Sequence, residues 1–406
     1  MSKLLSYVLT LVLLLLLAAP AAAQRGSPVT AGANITDGCA ESDDPTVDYF
    51  PHEATVMYAE GFQISYYNNY KVILVNEPFA DAGFRYEYVL VQCGTTLPEV
   101  IEGTQTIGYQ VIEVPIQSIV TLSATFLPNL ETIGELDALV ANDEFDFVYS
   151  EAVRARIDAG EMVEVGFPSG IDNELVLDLN PDLIMLNAFS QADLDPLNLL
   201  RDEGIPYAAN IDYLETSPLG RAEWVKFTAA FFNREEEANT FFTEVEGAYN
   251  QLTALTADAE ARPTVMVNGL FGDSWFVAGG QSYVARLIAD AGGDYLWADD
   301  ESTGGVPLDF ESVLERAADA DIWINPNFWF TLADGLTEDE RYAEFAPFAS
   351  GQVYNNNARV TPMGGNDYYE GAVANPHLLL ADLIAIFQPS LLPDHALFYY
   401  QQLPAE

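Results

Sequence analysis

The residues that could carry out chemistry are few in this sequence and far apart. Its three histidines, His52, His377 and His395, include no pair at the spacing of metal ligands, so zinc held by histidines is not expected. None of the four glycine pairs is part of a phosphate-binding loop with its lysine. No nucleophile stands beside a base in a recognisable motif. The sequence therefore predicts a protein that is not an enzyme and that needs no resident cofactor or metal.

Aromatic residues are the more informative group, because they stand at the ends of predicted strands and in the loops that follow. They are Phe126, Tyr149, Phe189, Trp275, Phe276, Phe328, Trp329, Tyr368 and Tyr369. Ligands of open α/β sheets bind beyond the carboxyl ends of the strands, so these rings are expected to face one cleft. For each ring the alternative is ordinary core packing. Trp275 and Trp329 are the strongest candidates, since each lies in a polar loop.

A polar part of the same cleft is expected near Arg359, which precedes the loop that contains Asn366. Arg359 would offer a positive charge, and its alternative is a solvated surface arginine. Aromatic walls suit a neutral or apolar-faced ligand better than a highly charged one. Substitution of Trp275 or Trp329 by alanine is therefore expected to weaken binding more than Arg359→Ala.

The charge of the chain limits its partners. There are 62 acidic residues against 15 basic ones among 406, a formal net charge of −47. Nucleic acids and anionic membranes are excluded as expected partners, because both would be repelled.

The N-terminus has the features of a secretory signal peptide over residues 1–23: Lys3, an apolar run and a small-residue cleavage site. Residues 24–45 read as a flexible leader. No cysteine stands at the end of the apolar run, so the expected location is periplasmic or extracellular without a lipid anchor. Cys39 and Cys93 form a disulfide in one interpretation and are two unrelated thiols in the other.

The hydrophobic pattern divides the rest of the chain into a β-rich segment and a βα region. Residues 46–117 alternate with period two and include a hairpin, and they are expected to pack on the first lobe. Residues 118–232 alternate short apolar runs with helices, which predicts an N-terminal lobe with a largely parallel sheet. Within it, residues 129–140 are predicted as a helix and residues 145–149 as a strand.

A single long amphipathic helix is predicted over residues 233–261, with Asn233 as its N-cap, Glu236 completing a capping box, and Pro263 just beyond its end. Residues 262–406 repeat the βα pattern as a C-terminal lobe. A weak internal repeat relates the segment that follows Asn173 to the one that follows Phe310. The predicted fold is thus α/β, with two βα lobes and a cleft between them, joined by one long helix and preceded by a β-rich extension.

Several segments together resemble the substrate-binding proteins of ABC importers for iron-siderophores, cobalamin and haem. They are SATFLPNLETIGELDALV from Ser123, NELVLDLNPDLIML from Asn173, LLRDEGIPYA from Leu199, PLGRAEWVKFTAAFF from Pro218, WFVAGGQSYVARLIADAGGDYLW from Trp275 and the tail from Gly365. The resemblance covers about residues 110–403.

The resemblance implies a monomeric binding protein that delivers a metal-chelate ligand, an iron-siderophore or corrinoid, to an ABC importer permease. It also implies that one acid on each lobe docks on arginines of the permease, and Glu174 and Glu311 match those positions. The alternatives are a secreted α/β enzyme on the same scaffold and a binder of free metal ions.

Overall fold

The computed structural model describes residues 29–30, 32–105, 108–259 and 261–406. The predicted signal peptide, residues 1–23, lies outside them, as does part of the predicted leader. In the described part of the chain, no helix combines the length and the apolar character that crossing a membrane requires.

Two small sheets precede the lobes. Strands β1 (Val29–Thr30) and β2 (Val47–Asp48) pair in parallel. The four-stranded sheet that follows has its strands in chain order: β3 (Phe62–Tyr67), β4 (Tyr70–Val75), β5 (Tyr86–Gln92) and β6 (Gln110–Val114). The predicted hairpin is β3 and β4, which pair antiparallel.

The N-terminal lobe is built on a five-stranded parallel sheet. Its strands are β7 (Ile119–Leu122), β8 (Leu139–Asn142), β9 (Val163–Glu164), β10 (Leu183–Leu186) and β11 (Tyr207–Ala209). Its helices are α1 (Leu127–Thr132), α2 (Glu151–Asp158), α3 (Asn173–Leu179), α4 (Gln191–Asp202), α5 (Pro218–Ala222) and α6 (Val225–Phe232). The strand order β11-β10-β7-β8-β9 puts the first strand in the centre, where it is buried on both faces.

Two predicted elements of this lobe are wrong. The helix predicted for residues 129–140 ends at Thr132, because Gly134 adopts a left-handed conformation (φ +77°), and β8 begins at Leu139. The strand predicted for residues 145–149 is instead a short 3₁₀ turn, Phe145–Phe147. Strand β8 therefore comes earlier in the chain than the pattern indicated.

The C-terminal lobe has its own five-stranded sheet, of order β15-β12-β17-β18-β19. Its strands are β12 (Thr264–Val267), β15 (Asp294–Tyr295), β17 (Ile322–Ile324), β18 (Val353–Asn355) and the antiparallel β19 (Gln401–Gln402). A smaller antiparallel sheet contains β13 (Leu270–Phe271), β14 (Ser274–Ala278) and β16 (Gly305–Leu308). The helices are α8 (Tyr283–Asp290), α9 (Phe310–Ala317), α10 (Leu332–Glu338), α11 (Ala346–Ser350), α12 (Gly371–Ala374) and α13 (Pro376–Phe387).

One long helix, α7 (Glu235–Thr256), joins the lobes. Its 22 residues make it about 33 Å long. It packs against α6 of the N-terminal lobe and α13 of the C-terminal lobe, and the Tyr249 hydroxyl donates to Asp290 of α8 at 2.8 Å. The predicted bounds, 233–261, were too wide at both ends.

The internal repeat appears in the structure as matching hydrogen bonds. Asp172 and Asp309 are the N-caps of α3 and α9. Asp182, before β10, accepts from the backbone N–H groups of Gln117 and Ser118 beside β7. In the C-terminal lobe, Asp321, before β17, accepts from the N–H and hydroxyl of Thr264, the first residue of β12. Each lobe thus has an aspartate that holds the strand next to its first strand in register.

The start of α7 is fixed by a buried ion pair rather than by the predicted cap. The Lys71 ammonium donates to Glu235 at 2.5 Å and to Asn233 at 2.8 Å, and both Lys71 and Glu235 are fully buried. Asn233 is left-handed (φ +59°) and ends α6, so it does not cap α7. Glu236 forms no capping box and instead lies beside His52 at the surface.

The residues before β2 are attached at the same place. The Asn34 amide donates to Glu235 at 2.8 Å, and Asn233 donates to the carbonyl of Ile35 at 2.7 Å. Cys39 and Cys93 are joined in a disulfide, which ties the segment to the residue that follows β5. The described part of the predicted flexible leader therefore contacts both the β-rich sheet and the beginning of α7.

The two lobes approach each other closely at Glu370, just before α12. Its carboxylate accepts from the N–H groups of Tyr149 (2.6 Å) and Ser150 (2.8 Å), at the start of α2 in the other lobe. Nearby, a Cβ on Gly365 would lie 2.4 Å from the carbonyl oxygen of Val148, so only glycine fits there. Burial raises the pKa of Glu370 to about 7, although the two N–H groups favour the ionised form.

We predict that Glu235→Gln lowers the free energy of unfolding by about 3 to 5 kcal/mol, because it leaves the Lys71 ammonium buried without its counter-ion. Denaturant unfolding measures the loss. Glu244→Gln, at an exposed position of the same helix, is the matched control and should have little effect. Equal losses in the two variants would contradict a dominant role for the buried pair.

We predict a pH dependence that Glu370→Gln removes. The folded pKa of Glu370 is raised, so its contribution to stability is present at low pH and is lost as pH rises through about 7. Between pH 5 and 8 the variant should gain about 2 kcal/mol relative to the parent. Unfolding curves across this range test it, and Glu244→Gln, at an exposed acid of α7, controls for the loss of a charge. A difference that stays flat with pH would refute the assignment.

Candidate functional site

A cleft of about 560 Å³ lies between the lobes. On one side it is lined by residues that follow β7 and β8, including Ser123, Thr125 and Asp143. On the other side it is lined by Asn327, after β17, and by residues after β18. Both sheets thus present the carboxyl ends of their strands to the same space, which is where open α/β sheets bind ligands.

The walls of the cleft carry exposed apolar side chains from both lobes. The N-terminal lobe contributes Phe147 and Phe167, whose ring centroids are 6.1 Å apart. The C-terminal lobe contributes Phe328, Phe330, Met363 and Tyr369. Phe328 is the most exposed of them, at 86%. Large apolar side chains gathered at one concave surface are typical of a binding site.

The floor of the cleft contains two buried carboxyl groups, those of Asp143 and Glu370. Burial raises the pKa of Asp143 to about 6, opposed by hydrogen bonds that include one from the Asn142 amide. No lysine or arginine stands among the described residues that line the cleft. The site therefore offers apolar contacts and polar groups of low charge, which suits a neutral ligand with an apolar face better than a polyanion.

Arg359 does not provide the expected free positive charge. Its Nε donates to Asp367 at 2.6 Å, and its guanidinium lies over the rings of Phe398 and Tyr149. The side chain is thus neutralised and packed beside the cleft, and it is absent from the cleft lining. The alternative of a solvated surface arginine is not seen either.

Trp275 and Trp329 do not line the cleft, contrary to expectation. They are 0% and 2% exposed, and both pack on Trp323, with ring centroids 5.4 and 5.2 Å away. The indole N–H of Trp275 donates to the carbonyl of Val267 and that of Trp329 to Glu338. The structure thus favours core packing for the two rings that the sequence ranked first.

Three further aromatic candidates also lie away from the cleft lining. Phe126 is buried in the core of the N-terminal lobe. Tyr149 lies beneath Arg359. Phe189 is exposed but packs on Tyr213, with ring centroids 4.8 Å apart.

The remaining candidates lie near one another, in the lining of the cleft or of a second cavity beside it. Asn366 lines the cleft with Phe328 and Tyr369. Phe276 and Tyr368 line a second cavity of about 420 Å³ that shares several wall residues with the cleft. The expected roles of these residues in ligand binding stay predictions.

The sequence did not single out the cleft residues of the N-terminal lobe. Ser123 and Thr125 follow a strand that was correctly predicted, so their position alone could have identified them. Asp143 and Phe147 could not be found in this way, because β8 was misplaced. Phe167 follows the short strand β9, which the hydrophobic pattern did not indicate. In the described part of the chain, no group of three or more His, Cys, Asp or Glu side chains is arranged to hold a metal ion.

Comparison with known proteins assigns the chain to the class of binding proteins that its sequence resembles. Residues 119–359 match the family model described as periplasmic binding protein. An ABC transporter substrate-binding protein from Listeria monocytogenes has a similar fold, with a TM-score of 0.50 and 17% identity over 67% of this chain and 99% of that one. The apo haem-binding protein RhuT from Roseiflexus gives a TM-score of 0.51 and 20% identity over 68% of this chain and 99% of that one.

A relative in Methanocaldococcus jannaschii corrects the expected location. It is 27% identical over 292 residues, 70% of this chain and 67% of its own length, and it is named an uncharacterized lipoprotein. The expectation of a secreted protein without a lipid anchor is therefore contradicted. That expectation depended on the absence of one cysteine, which was too little evidence to decide whether the protein is attached to a membrane.

Fold and family agree at each level of the structure: two parallel-sheet lobes, one long joining helix and a cleft at the carboxyl ends of the strands. The family model spans more than half of the chain and includes every strand that borders the cleft. The chain belongs to the periplasmic binding proteins.

Proposed function

We propose that this protein binds a metal chelate, of the iron-siderophore or corrinoid type, and delivers it to the permease of an ABC importer. The observation that carries the proposal is the cleft between the lobes, with exposed aromatic side chains on both walls and no cationic lining residue among those described. Such a surface favours a ligand with a broad apolar face and little net charge. The protein acts as a monomer in this proposal, and non-enzymatically, as the family and fold are those of binding proteins.

The electrostatics of the whole chain support the same class of ligand. A net charge of −47 repels a highly anionic complex at a distance, and the cleft does not compensate for it with a free arginine. The raised pKa values of Asp143 and Glu370 leave the floor less negative near neutral pH than two ordinary carboxylates would. A neutral hydroxamate complex or a corrinoid meets these conditions. One protein of similar fold is named for haem binding, which keeps metal macrocycles within the proposed range.

The location is proposed to be the outer surface of the membrane, in keeping with the name of the lipoprotein relative. There the protein would meet its permease directly. Glu174 and Glu311 are the proposed docking acids, because they occupy the same position, two residues after the N-cap, in the matching helices α3 and α9. Both are exposed, and Glu311 lies 3.3 Å from Arg341.

The proposal predicts that protein purified from its source carries a coloured metal chelate. Native mass spectrometry and the absorption spectrum identify it. With that recovered chelate, Phe328→Ala should weaken binding by about 1 to 3 kcal/mol, because an exposed ring of the cleft wall is lost. Phe189→Ala, an exposed ring outside the cleft lining, is the matched control and should bind as the parent does. Recovery of a sugar or a peptide in place of a chelate would contradict the proposal.

Docking is predicted to be separable from ligand binding. The double variant Glu174→Arg with Glu311→Arg should keep its affinity for the chelate but lose transport, because like charges would then meet at the permease. Asp178→Arg with Asp319→Arg, at exposed acids near the opposite ends of the same two helices, should transport normally. Loss of ligand affinity in the first pair would instead place those acids in the binding site.

A further inference from the structure

A second cavity, of about 420 Å³, adjoins the cleft, and we refer to it as the Arg221 chamber. Arg221, Asn268, Tyr283, Asn325, Asn356 and Tyr368 are among its lining residues. It shares Asn327, Phe328, Asn356 and Tyr369 with the cleft, so the two cavities are contiguous. A ligand that fills the cleft could therefore extend a side arm into the chamber.

The chamber contains a cation whose charge is already matched. Arg221 donates from Nε to Asp212 at 2.8 Å, and Asp212 is almost fully buried. The Arg221 guanidinium lies over the ring of Tyr283, 5.4 Å from its centroid, which fixes its plane. A guanidinium has five N–H donors, so the pairing with Asp212 leaves Arg221 able to donate to a ligand oxygen. It does not leave a net positive charge for an anion.

Asn356 supplies a side-chain amide, which can both donate and accept, whereas Arg221 can only donate. It follows β18 and is the middle one of three consecutive asparagines. The side-chain amides of its two neighbours, Asn355 and Asn357, both donate to the carbonyl of Trp329 and are therefore not available to a ligand in the same way. The Asn356 side-chain amide makes no hydrogen bond to the residues that the structure describes, although Asn356 is only 6% exposed and lines both cavities. An amide at a cavity wall without a partner among the described residues can donate to a ligand and accept from it.

An unpaired acceptor in the chamber also indicates a ligand group that carries an N–H donor. Asn325 also lines it, and its buried Oδ1 accepts no hydrogen bond from the described residues. A ligand group that suits this chamber must accept from Arg221 and must both accept from and donate to Asn356. A carboxylate has no N–H to donate and would add negative charge to a neutral ion pair in a strongly acidic protein. An ester accepts but does not donate.

We propose that the Arg221 chamber is a subsite for a neutral carboxamide arm of the ligand, with Arg221 and Asn356 as its hydrogen-bonding partners. The inference rests on the proposed function, which it narrows from metal chelates in general to chelates that carry amide side chains. A carboxamide presents a carbonyl oxygen and an N–H group side by side, so one group satisfies both residues. Phe328, at the boundary between the cavities, would contact the apolar body of the ligand.

The test uses three corrinoids that share one metal macrocycle and differ in their arms. Dicyanocobinamide carries carboxamides, dicyanocobyrinic acid carries carboxylates, and its heptamethyl ester carries acceptors without donors. Titration calorimetry or absorption measures the dissociation constant of each with the full-length protein. The amide is expected to bind about tenfold more tightly than either of the others, a factor typical of one or two buried hydrogen bonds.

Asn356→Leu is the decisive variant. It keeps the approximate shape of the side chain and breaks no hydrogen bond seen in the structure, so it is expected to fold, and a melting curve checks this. It should reduce the preference for the amide over the ester to less than about threefold. Should that variant unfold, Asn356→Ala serves the same purpose. Phe328→Leu is the control, and it should weaken all three probes alike without changing their order.

Equal affinity for the three probes, tighter binding of the acid, or an unchanged amide preference in Asn356→Leu would each overturn the subsite. Binding of a ferric siderophore or of haemin with no binding of dicyanocobinamide would also overturn it, but would leave the proposed function intact. Failure of all these chelates to bind would contradict both.

Discussion

The fold depends on buried carboxylates that accept hydrogen bonds from the backbone of loops. Glu223 accepts from three consecutive N–H groups at residues 57–59, and Glu215 accepts from residues 60 and 61. Asp382 does the same for residues 398–400 near the C-terminus, and Glu370 does so across the lobe interface. Among the residues that the structure describes, these N–H groups have no backbone acceptor in a strand or helix. A buried acid supplies the missing acceptor, which charge makes stronger than a neutral one.

This arrangement also explains how the interior accommodates charge in so acidic a chain. Among the described residues at the junction before α7, two buried acids have a lysine partner: Glu223 pairs with Lys226 at 2.7 Å, and Glu235 pairs with Lys71. Burial lowers the pKa of Lys71, although the Glu235 carboxylate favours its charged form. Glu215 and Glu370 have no lysine or arginine partner among the described residues and accept from backbone N–H groups instead. These N–H groups offset the effect of burial only in part, because the pKa of each carboxyl group is raised. Backbone N–H groups therefore stabilise part of the buried negative charge that basic side chains stabilise in less acidic proteins.

The sequence predicts elements well where a local pattern decides them and poorly where distant residues do. The β3–β4 hairpin, the strand β10 and the repeat marked by Asp182 and Asp321 follow from short-range patterns. Asn233 is different, because its side chain matches a helix cap locally but is taken up by Lys71, 162 residues away. Distant residues also decide whether an aromatic side chain lies in the core or in the cleft. Trp329 and Phe328 are adjacent in one loop, yet the first is buried and the second is exposed, since the aromatic cluster around Trp323 accommodates only one of them.

The contacts of residues 29–30 and 34–35 determine where a tether upstream of them would act on the molecule. Val29 and Thr30 pair with β2, and Asn34 and Ile35 contact Glu235 and Asn233 at the base of α7, the element that joins the lobes. None of these described residues lines the cleft. A pull from an anchor upstream would thus act on β2 and on the base of the joining helix, away from the residues that line the cleft.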